Sequence, residues 1–261
     1  MPKFFVENKQ INQKTIYIKN GDVNHIKNVL RKNIEDEINI CDKDTRQDYL
    51  CKIVGMEENE IRCEILKKIE SNIESNVEVS IFQGLPKADK MELIIQKSVE
   101  LGVHDIKPIE MKRCVVKLKE KDRFKKIERW QKISEVAAKQ SGRNYIPTIN
   151  NIKSINEIIE EIDDYDVFLV AYEEEKENTL KNELKLLKNQ CKEKLRDFDN
   201  DDNNEKIRIA VLIGPEGGID KDEIESMKKS GAKIITLGKR ILRTETVALN
   251  VLSIIMYELE N

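Results

Sequence analysis

From Val77 onward, the sequence alternates short apolar runs with amphipathic segments of helical period. Several runs have the length and composition of buried strands: VEVSIFQGL from Val77, DVFLVAY from Asp166, residues 207–213, and KIITL from Lys233. Helix-like segments separate these runs along the chain. Because strands that alternate with helices form a mostly parallel sheet covered by helices, the sequence predicts an α/β fold for this part of the chain.

The N-terminal part of the chain has a different rhythm. Its short alternating apolar runs, separated by polar turns, predict a small β-barrel. One helical segment, GDVNHIKNVLR, interrupts them and carries Ile26, Val29 and Leu30 as an apolar stripe. The polar stretch SNIESN separates the two patterns and predicts two domains, 1–70 and 77–261.

Several local signals define elements of the second domain. The segment Asp122–Ser141 has the period of a long helix, and CVVKL from Cys114 has the pattern of a strand. The polar stretch at 197–206 predicts a solvated loop. Two pairs have the spacing of a helix capping box: Asp89 with Glu92, and Asp220 with Glu223.

The net charge of −3 hides an uneven distribution along the chain. From Lys107 to Arg143 there are 13 Lys and Arg against 5 Asp and Glu, whereas from Ser154 to Lys206 there are 8 against 17. Charges of this kind often only coat helices. A basic block beside an acidic one nevertheless favours a surface for a polyanion on one side of the molecule.

The cysteines and histidines exclude several kinds of site. The five cysteines form no CxxC pair, which favours a reduced cytoplasmic setting over disulfides or a zinc site. With only two histidines, multi-histidine metal sites and histidine-centred triads are not expected. For the same reason no metal is predicted. No run of 18 apolar residues occurs, so no membrane association is predicted either.

The stretch IAVLIGPEGGIDKDEIE concentrates glycine after a predicted strand. Three of the 10 glycines lie within five positions, together with Pro215 and Glu216. Neither the dinucleotide motif nor the phosphate-binding P-loop motif is present. A tight strand-to-helix turn would also explain this cluster.

A second loop makes a binding pocket the better interpretation. LGKRILRTETVALNVL begins at the next predicted strand end, with Thr244 as the expected helix cap and Glu245 and Thr246 in the first helical turn. Since ligands of such sheets bind beyond the carboxyl ends of the strands, two unusual loops at neighbouring strand ends indicate one pocket.

The same two loops carry a family resemblance. GPEGG followed by LG-x-x-ILRTETVAL resembles the C-terminal signature of the RsmE-type 16S rRNA uridine-N3 methyltransferases of the SPOUT superfamily. QGLPKADKMELIIQKSVELGV, RWQKISEVAAKQSGR and HIKNVLR resemble further landmarks of that family in the same order. Two features depart from it, namely Lys3 in place of the expected arginine and the long acidic region 173–206, which we interpret as a surface feature.

The resemblance implies the architecture and the reaction. It implies a PUA-like N-terminal barrel, a SPOUT-type parallel sheet with a C-terminal trefoil knot, and a homodimer. It further implies S-adenosylmethionine as methyl donor and methylation of N3 of a specific uridine in 16S rRNA of the small ribosomal subunit. Backbone groups of the glycine loops would then hold a donor whose reactive centre is cationic.

The resemblance also implies candidate site residues. Arg243 is the candidate for stabilising negative charge on the uracil, although an ion pair with Glu245 or Glu216 would also explain it; either glutamate is a candidate proton acceptor. The expected cofactor-binding residues are Ala171, Leu212, Ile213, Gly214, Glu216, Gly217, Gly218, Leu237, Gly238, Ile241, Leu242 and Thr246. The expected RNA-binding residues are Lys3, Arg31, Arg113, Lys117, Arg129, Lys132 and Arg143.

Two other functions remain open from the sequence. A non-catalytic RNA-binding factor in ribosome assembly would need only the barrel and the basic helix. Another SPOUT methyltransferase would keep the cofactor and act on a different RNA. The nearly all-apolar final helix fits either a core helix or a dimer interface.

Overall fold

The computed structural model describes residues 3–19, 21–191 and 206–260. Two compact units are present, one of Met1–Glu74 with Glu135–Ile146 and one of Ser75–Ser134 with Pro147–Asn261. The division expected from sequence differs from this in placing 135–146 in the second domain. The predicted loop at 197–206 lies outside the described residues except for Lys206.

The first unit is a six-stranded sheet in the order β1-β4-β5-β6-β3-β2. Its alternating sequence places every second side chain on one face, so Ile16 and Ile18 of β3 and Ile38 and Ile40 of β4 are fully buried. Phe4 joins the same core cluster. The strands are β1 (Lys3–Val6), β2 (Ile11–Asn12), β3 (Thr15–Lys19), β4 (Glu37–Asp42), β5 (Asp48–Met56) and β6 (Glu60–Ile69).

The predicted apolar stripe in this unit is only partly correct. Helix α1 (Gly21–Asn24) continues as a π-helical turn, His25–Val29, in which the Leu30 N–H bonds to the His25 carbonyl. The extra residue in that turn changes the direction of the following side chains. Ile26 is buried, but Val29 is 64% exposed, so Val29 does not belong to the core.

The second unit contains a seven-stranded sheet in which every pairing is parallel, with β10, β8, β7, β12, β11 and β13 in that order. This confirms the predicted α/β fold. Strand β9 pairs with the start of β8, and β10 pairs with its end. The strands are β7 (Val77–Gly84), β8 (Asp105–Glu110), β9 (Thr148–Ile149), β10 (Lys153–Ser154), β11 (Val167–Ala171), β12 (Ile207–Ile213) and β13 (Lys233–Ile235).

Helices connect these strands, and the long basic helix contributes residues to both units. The predicted helix at 122–141 is α3, which begins two residues earlier than expected. The helices are α2 (Lys90–Glu100), α3 (Glu120–Ser141), α4 (Ile155–Ile159), α5 (Leu180–Gln190), α6 (Lys221–Lys229) and α7 (Thr244–Leu259). Within the described residues, no helix is both long and apolar enough to cross a bilayer.

One of the two predicted capping boxes forms. Asp220 and Glu223 exchange side-chain and backbone hydrogen bonds at the start of α6, as predicted. Asp89 makes no side-chain cap, because its φ of −90° and ψ of 9° lie outside the extended region that a capping residue adopts. Glu92 forms an ion pair with Arg129 at 2.8 Å.

The predicted strand at CVVKL is wrong. The N–H of Met111 donates to the thiol of Cys114, and the N–H of Cys114 donates to the Met111 carbonyl, so the backbone turns instead of extending. Val115 is 65% exposed as a result. An apolar pattern alone could not distinguish this exposed loop from a strand.

The C-terminal segment returns across the sheet. Strand β13 pairs with β11 on the side away from β12, yet α7 packs on β7, β12 and α2. The chain therefore crosses back from the edge of the sheet to its centre between Ile235 and Thr244. This return brings the loop after β13 to the carboxyl ends of β12 and β7.

Gly84, the last residue of β7, tests how tightly this region is packed. A Cβ at Gly84 would lie 2.7 Å from Pro215 Cδ and 2.8 Å from Met111 Sδ. We expect Gly84→Ala to destabilise the protein by about 1–3 kcal/mol in chemical denaturation, since overpacking forces the neighbours to shift. Gly21→Ala is the control, because a Cβ at Gly21 meets nothing within 4 Å. Equal stability of both variants would contradict this packing.

Candidate active site

A cavity of about 440 Å³ opens at the carboxyl ends of the strands of the second unit. Loops that follow three strands line it: Tyr172 and Glu173 after β11, Gly214–Glu216 and Gly218 after β12, and Thr236–Arg243 after β13. Its volume lies in the range of small-molecule sites, and its place at the strand ends is where parallel sheets bind ligands.

The two loops predicted from sequence both line this cavity, but their strands are not adjacent. Strand β11 lies between β12 and β13. The start of the acidic region 173–206 lines the cavity with Glu173, so this exposed residue of the predicted surface feature borders the site. Tyr172, which precedes it, also lines the cavity.

The structure brings most of the expected cofactor-binding residues together. Leu212, Gly217 and Thr246 do not line the cavity. Leu212 is fully buried, next along β12 to the lining Ile213, and neighbouring side chains of a strand point to opposite faces. Gly217 lies against Arg113, whose carbonyl oxygen is 3.0 Å from where a Cβ would be. The expected residues that line the cavity are Ala171, Ile213, Gly214, Glu216, Gly218, Leu237, Gly238, Ile241 and Leu242.

The glycine cluster is required by the protein's own packing. A Cβ at Gly214 would lie 2.8 Å from Ile219 Cγ1. Gly218 has a φ of +71°, in the left-handed region that side chains with a Cβ disfavour. These glycines let the loop fold back tightly on itself, which shapes one wall of the cavity.

Thr244 holds the two glycine-containing loops together. Its hydroxyl donates to the Gly214 carbonyl at 2.7 Å and accepts from the Gln83 amide at 2.9 Å. Thr244 is therefore the first residue of α7 and not its cap, and the cap position belongs to Arg243. Because Thr244 is buried, these bonds are shielded from water and link β7, β12 and α7.

Sequence analysis did not identify Lys90, which lies at the edge of the cavity. Its ammonium is 3.1 Å from a carboxylate oxygen of Glu216 and 3.1 Å from one of Glu245. Glu216 also accepts the Lys87 backbone N–H at 3.1 Å. Glu216 lines the cavity, whereas Glu245 does not and reaches it only through Lys90.

Both carboxylates are held in the ionised form. Burial acts to raise the pKa of Glu216, but hydrogen bonds from its own N–H, the Lys87 N–H and the Lys90 ammonium outweigh burial and lower the pKa. For Glu245, burial is likewise outweighed by its own N–H, Lys90 and the charge of Arg243, so its pKa is lowered too. Hydrogen bonds to these two carboxylates raise the pKa of Lys90.

Arg243 lines the cavity without the ion pairs that the sequence left open for it. Among the ion pairs of the described residues, none joins Arg243 to Glu216 or Glu245, since Lys90 pairs with both. Lys239 and Arg240 also line the cavity. The wall thus carries cations beside the carboxylates of Glu173 and Glu216, and it suits a ligand with both anionic and cationic groups.

Five of the seven expected RNA-binding residues lie on the surface, namely Arg31, Arg113, Lys117, Arg129 and Lys132. Arg113 donates to the Gly217 carbonyl at 3.3 Å, Lys117 pairs with Glu110 at 3.4 Å, and Arg129 pairs with Glu92. Exposed pairs of this kind contribute little energy, so phosphates can replace the carboxylates. Arg31 and Lys132 are exposed as well.

Lys3 and Arg143 are not placed to bind RNA. Lys3 is buried and forms an ion pair with Asp48 at 2.6 Å. Arg143 is only 5% exposed and donates to Glu74 at 3.1 Å. A phosphate contact would leave the buried Asp48 carboxylate, or the partly buried Glu74 carboxylate, without its cation. Their expected RNA-binding role is therefore corrected to a structural one.

No group of three or more His, Cys, Asp or Glu side chains is placed to hold a metal ion in the described part of the chain. The five cysteines are buried and free. Burial raises the pKa of Cys63 to about 12.

Comparison with known proteins agrees with this geometry. A family model for an RNA methyltransferase PUA domain matches residues 18–66, and one for an RNA methyltransferase domain matches residues 73–256. Ribosomal RNA small subunit methyltransferase E of Bacillus subtilis is 35% identical, with 100% of this chain and 98% of that protein covered. The Mesomycoplasma hyopneumoniae protein of the same name is 36% identical, covering 97% and 98%.

A solved structure extends the comparison to the fold. The ribosomal RNA small subunit methyltransferase E from Neisseria gonorrhoeae, bound to S-adenosyl methionine, superposes with a TM-score of 0.80. It is 27% identical and covers 98% of this chain and 97% of its own.

Fold, cavity and family models together define an RNA methyltransferase with an N-terminal PUA domain. The full-length identity to curated relatives then specifies the group. The chain belongs to the ribosomal RNA small subunit methyltransferase E family, which confirms the resemblance seen in its two loops.

Thr244 provides a test of the cavity's construction. We expect Thr244→Val to lower the unfolding free energy by about 1–3 kcal/mol, because the buried Gly214 carbonyl and Gln83 amide each lose a partner. Thermal and chemical denaturation measure this effect. Thr148→Val, at an exposed position in β9, is the matched control and should leave stability unchanged. A Thr244 variant as stable as the control would remove Thr244 from this role.

Proposed function

We propose that this protein transfers a methyl group from S-adenosylmethionine to N3 of a specific uridine in 16S rRNA of the small ribosomal subunit. The observation that carries the proposal is the cavity at the carboxyl ends of β11, β12 and β13, lined by both predicted loops. The names of the curated relatives and the S-adenosyl methionine bound by the Neisseria gonorrhoeae protein support it.

The residues of the cavity fit this methyl donor. Ile213, Leu237, Leu242 and Val247 offer apolar side chains for the flat adenine ring. The carboxylate of Glu173 can accept hydrogen bonds from ribose hydroxyls or from an amino group. Its negative charge also favours a donor with a cationic centre. When bound, S-adenosylmethionine supplies an activated methyl group on a sulfonium.

The protein's own contribution is to position the uracil and to stabilise charge. Removal of the N3 proton leaves negative charge on the uracil carbonyls, and the Arg243 guanidinium stabilises that charge. Glu216, ionised and in the cavity wall, accepts the proton. Glu245, the other candidate proton acceptor from the sequence, does not line the cavity. It pairs with Lys90, which also pairs with Glu216.

RNA binding uses exposed cations of both units. In the second unit these are Arg113, Lys117, Arg129 and Lys132, and in the first unit Arg31. Phosphate contacts position the RNA without reading its sequence. The target base must leave its stack to reach the cavity, as other base-modifying enzymes require.

We further propose that the protein is a homodimer in the cytoplasm. The crossing of the chain from β13 back to α7 is the proposed site of a trefoil knot. The packed helices α2 and α7 expose apolar side chains, with Leu93 43% and Tyr257 74% exposed. These side chains support a dimer face on the two helices. The proposed domains are 1–70 for the PUA-like unit and 77–261 for the methyltransferase.

The main alternative is a non-catalytic RNA-binding assembly factor. It gives no reason for a cavity that brings three loops and a buried threonine link together. A methyltransferase with another RNA target would keep the cavity. Mapping methylated bases in rRNA from cells that lack this protein separates all three functions. One lost N3-methyluridine in 16S rRNA supports the proposal, and unchanged 16S rRNA contradicts it.

Arg243→Ala tests the assigned role of the guanidinium. We expect kcat to fall by about 10²–10³-fold, the scale for loss of one charge-stabilising group, with S-adenosylmethionine affinity largely retained. Single-turnover methylation and calorimetry measure the two effects. Arg208→Ala, at the opposite end of β12, is the control. Unchanged turnover in the Arg243 variant would remove this residue from the mechanism.

A further inference from the structure

Lys90 is the first residue of α2 and the only ammonium group found between two carboxylates at the cavity in the described structure. Its side chain is 29% exposed, while those of Glu216 and Glu245 are 25% and 17% exposed. These two glutamates come from different segments, the loop after β12 and the first turn of α7. Lys90 therefore ties three segments of the second unit together at one point.

Without a cation, two carboxylates so placed would repel each other. Like charges that share a partly desolvated site raise each other's pKa, and one of them takes up a proton. An ammonium 3.1 Å from each removes this repulsion. The Lys87 backbone N–H adds a second fixed donor to Glu216. Glu216 is thus fixed in the cavity wall by groups from two directions.

We propose that Lys90 is a positioning residue that holds Glu216 ionised and aimed into the cavity, with Glu245 as the counter-charge that fixes Lys90 itself. The inference rests on the proposed methyl transfer to N3 of a uridine. In that reaction the N3 proton would pass to a Glu216 carboxylate oxygen, and the nitrogen would keep the electron pair that forms the new N–C bond. The methyl–sulfur bond of the donor would break, and its electron pair would leave on the neutral thioether sulfur.

The surrounding charges are consistent with this role. Among charged side chains, Lys90 acts most strongly on both carboxylates, and Arg243 also acts on Glu245. The lowered pKa of both carboxyls follows from these partners and the backbone donors. Arg243 lines the cavity and, within the described residues, forms no ion pair with either glutamate, whereas Lys90 pairs with both.

The test compares Lys90→Met, which keeps the length of the side chain, with Lys90→Arg, which keeps its charge. Methylation of small ribosomal subunits by purified protein gives kcat and KM, and calorimetry gives S-adenosylmethionine affinity. We expect Lys90→Met to lower kcat at least about tenfold, a part of the roughly 10²–10⁴-fold that a positioned general base contributes. Its RNA KM and donor affinity should stay within about threefold, and Lys90→Arg should recover most of the rate.

A second measurement needs no methyl donor and no RNA. Carboxyl ¹³C NMR of the ligand-free protein follows the titration of Glu216 and Glu245 directly. In Lys90→Met both midpoints should move to higher pH, because the cation that favours the ionised form is gone. This titration can be measured whether or not the wild-type protein methylates RNA. It therefore tests the effect of Lys90 on the two carboxylates independently of the proposed function.

Lys97→Met is the matched control on the same helix, since Lys97 pairs with Glu100 of its own helix. It should leave kcat and both titrations unchanged. The proposal is overturned if Lys90→Met changes only the KM for RNA, which would make Lys90 a phosphate contact. It is also overturned if the carboxyl titrations do not move, or if Lys97→Met reduces kcat equally. A wild type that methylates no uridine would instead refute the proposed function.

Discussion

The return of the chain from the edge strand β13 to the centre of the sheet is the constraint on which the site depends. It places α7 against β7 and β12, and the buried hydroxyl of Thr244 fixes this arrangement through Gly214 and Gln83. Hydrogen bonds in a dry environment are costly to leave unmade. The loop after β13 is therefore held over the loop after β12, and the cavity exists because both loops are anchored at this link.

Electrostatics then gives the cavity its chemistry. Both carboxylates and cations line its wall, and the shared ammonium of Lys90 favours the ionised forms of Glu216 and Glu245. Such pairing costs some conformational freedom but leaves an ionised carboxylate and a cation, Glu216 and Arg243, in the lining of one cavity. In the proposed mechanism, proton acceptance and charge stabilisation are divided between these two residues, which form no ion pair with each other in the described part of the chain.

Sequence patterns predicted the parallel sheet, the two loops and their shared pocket, because strand length, glycine content and helix signals are local properties. Strand order is not local, and so the insertion of β11 with Glu173 between the two loops could not be predicted. Partners that are distant in sequence were missed for the same reason. From the sequence, Lys3 and Arg143 were interpreted as RNA-binding cations, because their ion-pair partners Asp48 and Glu74 are distant in sequence.

Direct titration of S-adenosylmethionine into the purified protein tests the central claim that the three loops form a methyl-donor site. Isothermal calorimetry should show saturable binding, and Gly84→Ala, which disturbs the wall without touching the ligand, should weaken it more than Gly21→Ala does. Absence of binding by the folded wild-type protein would contradict the account.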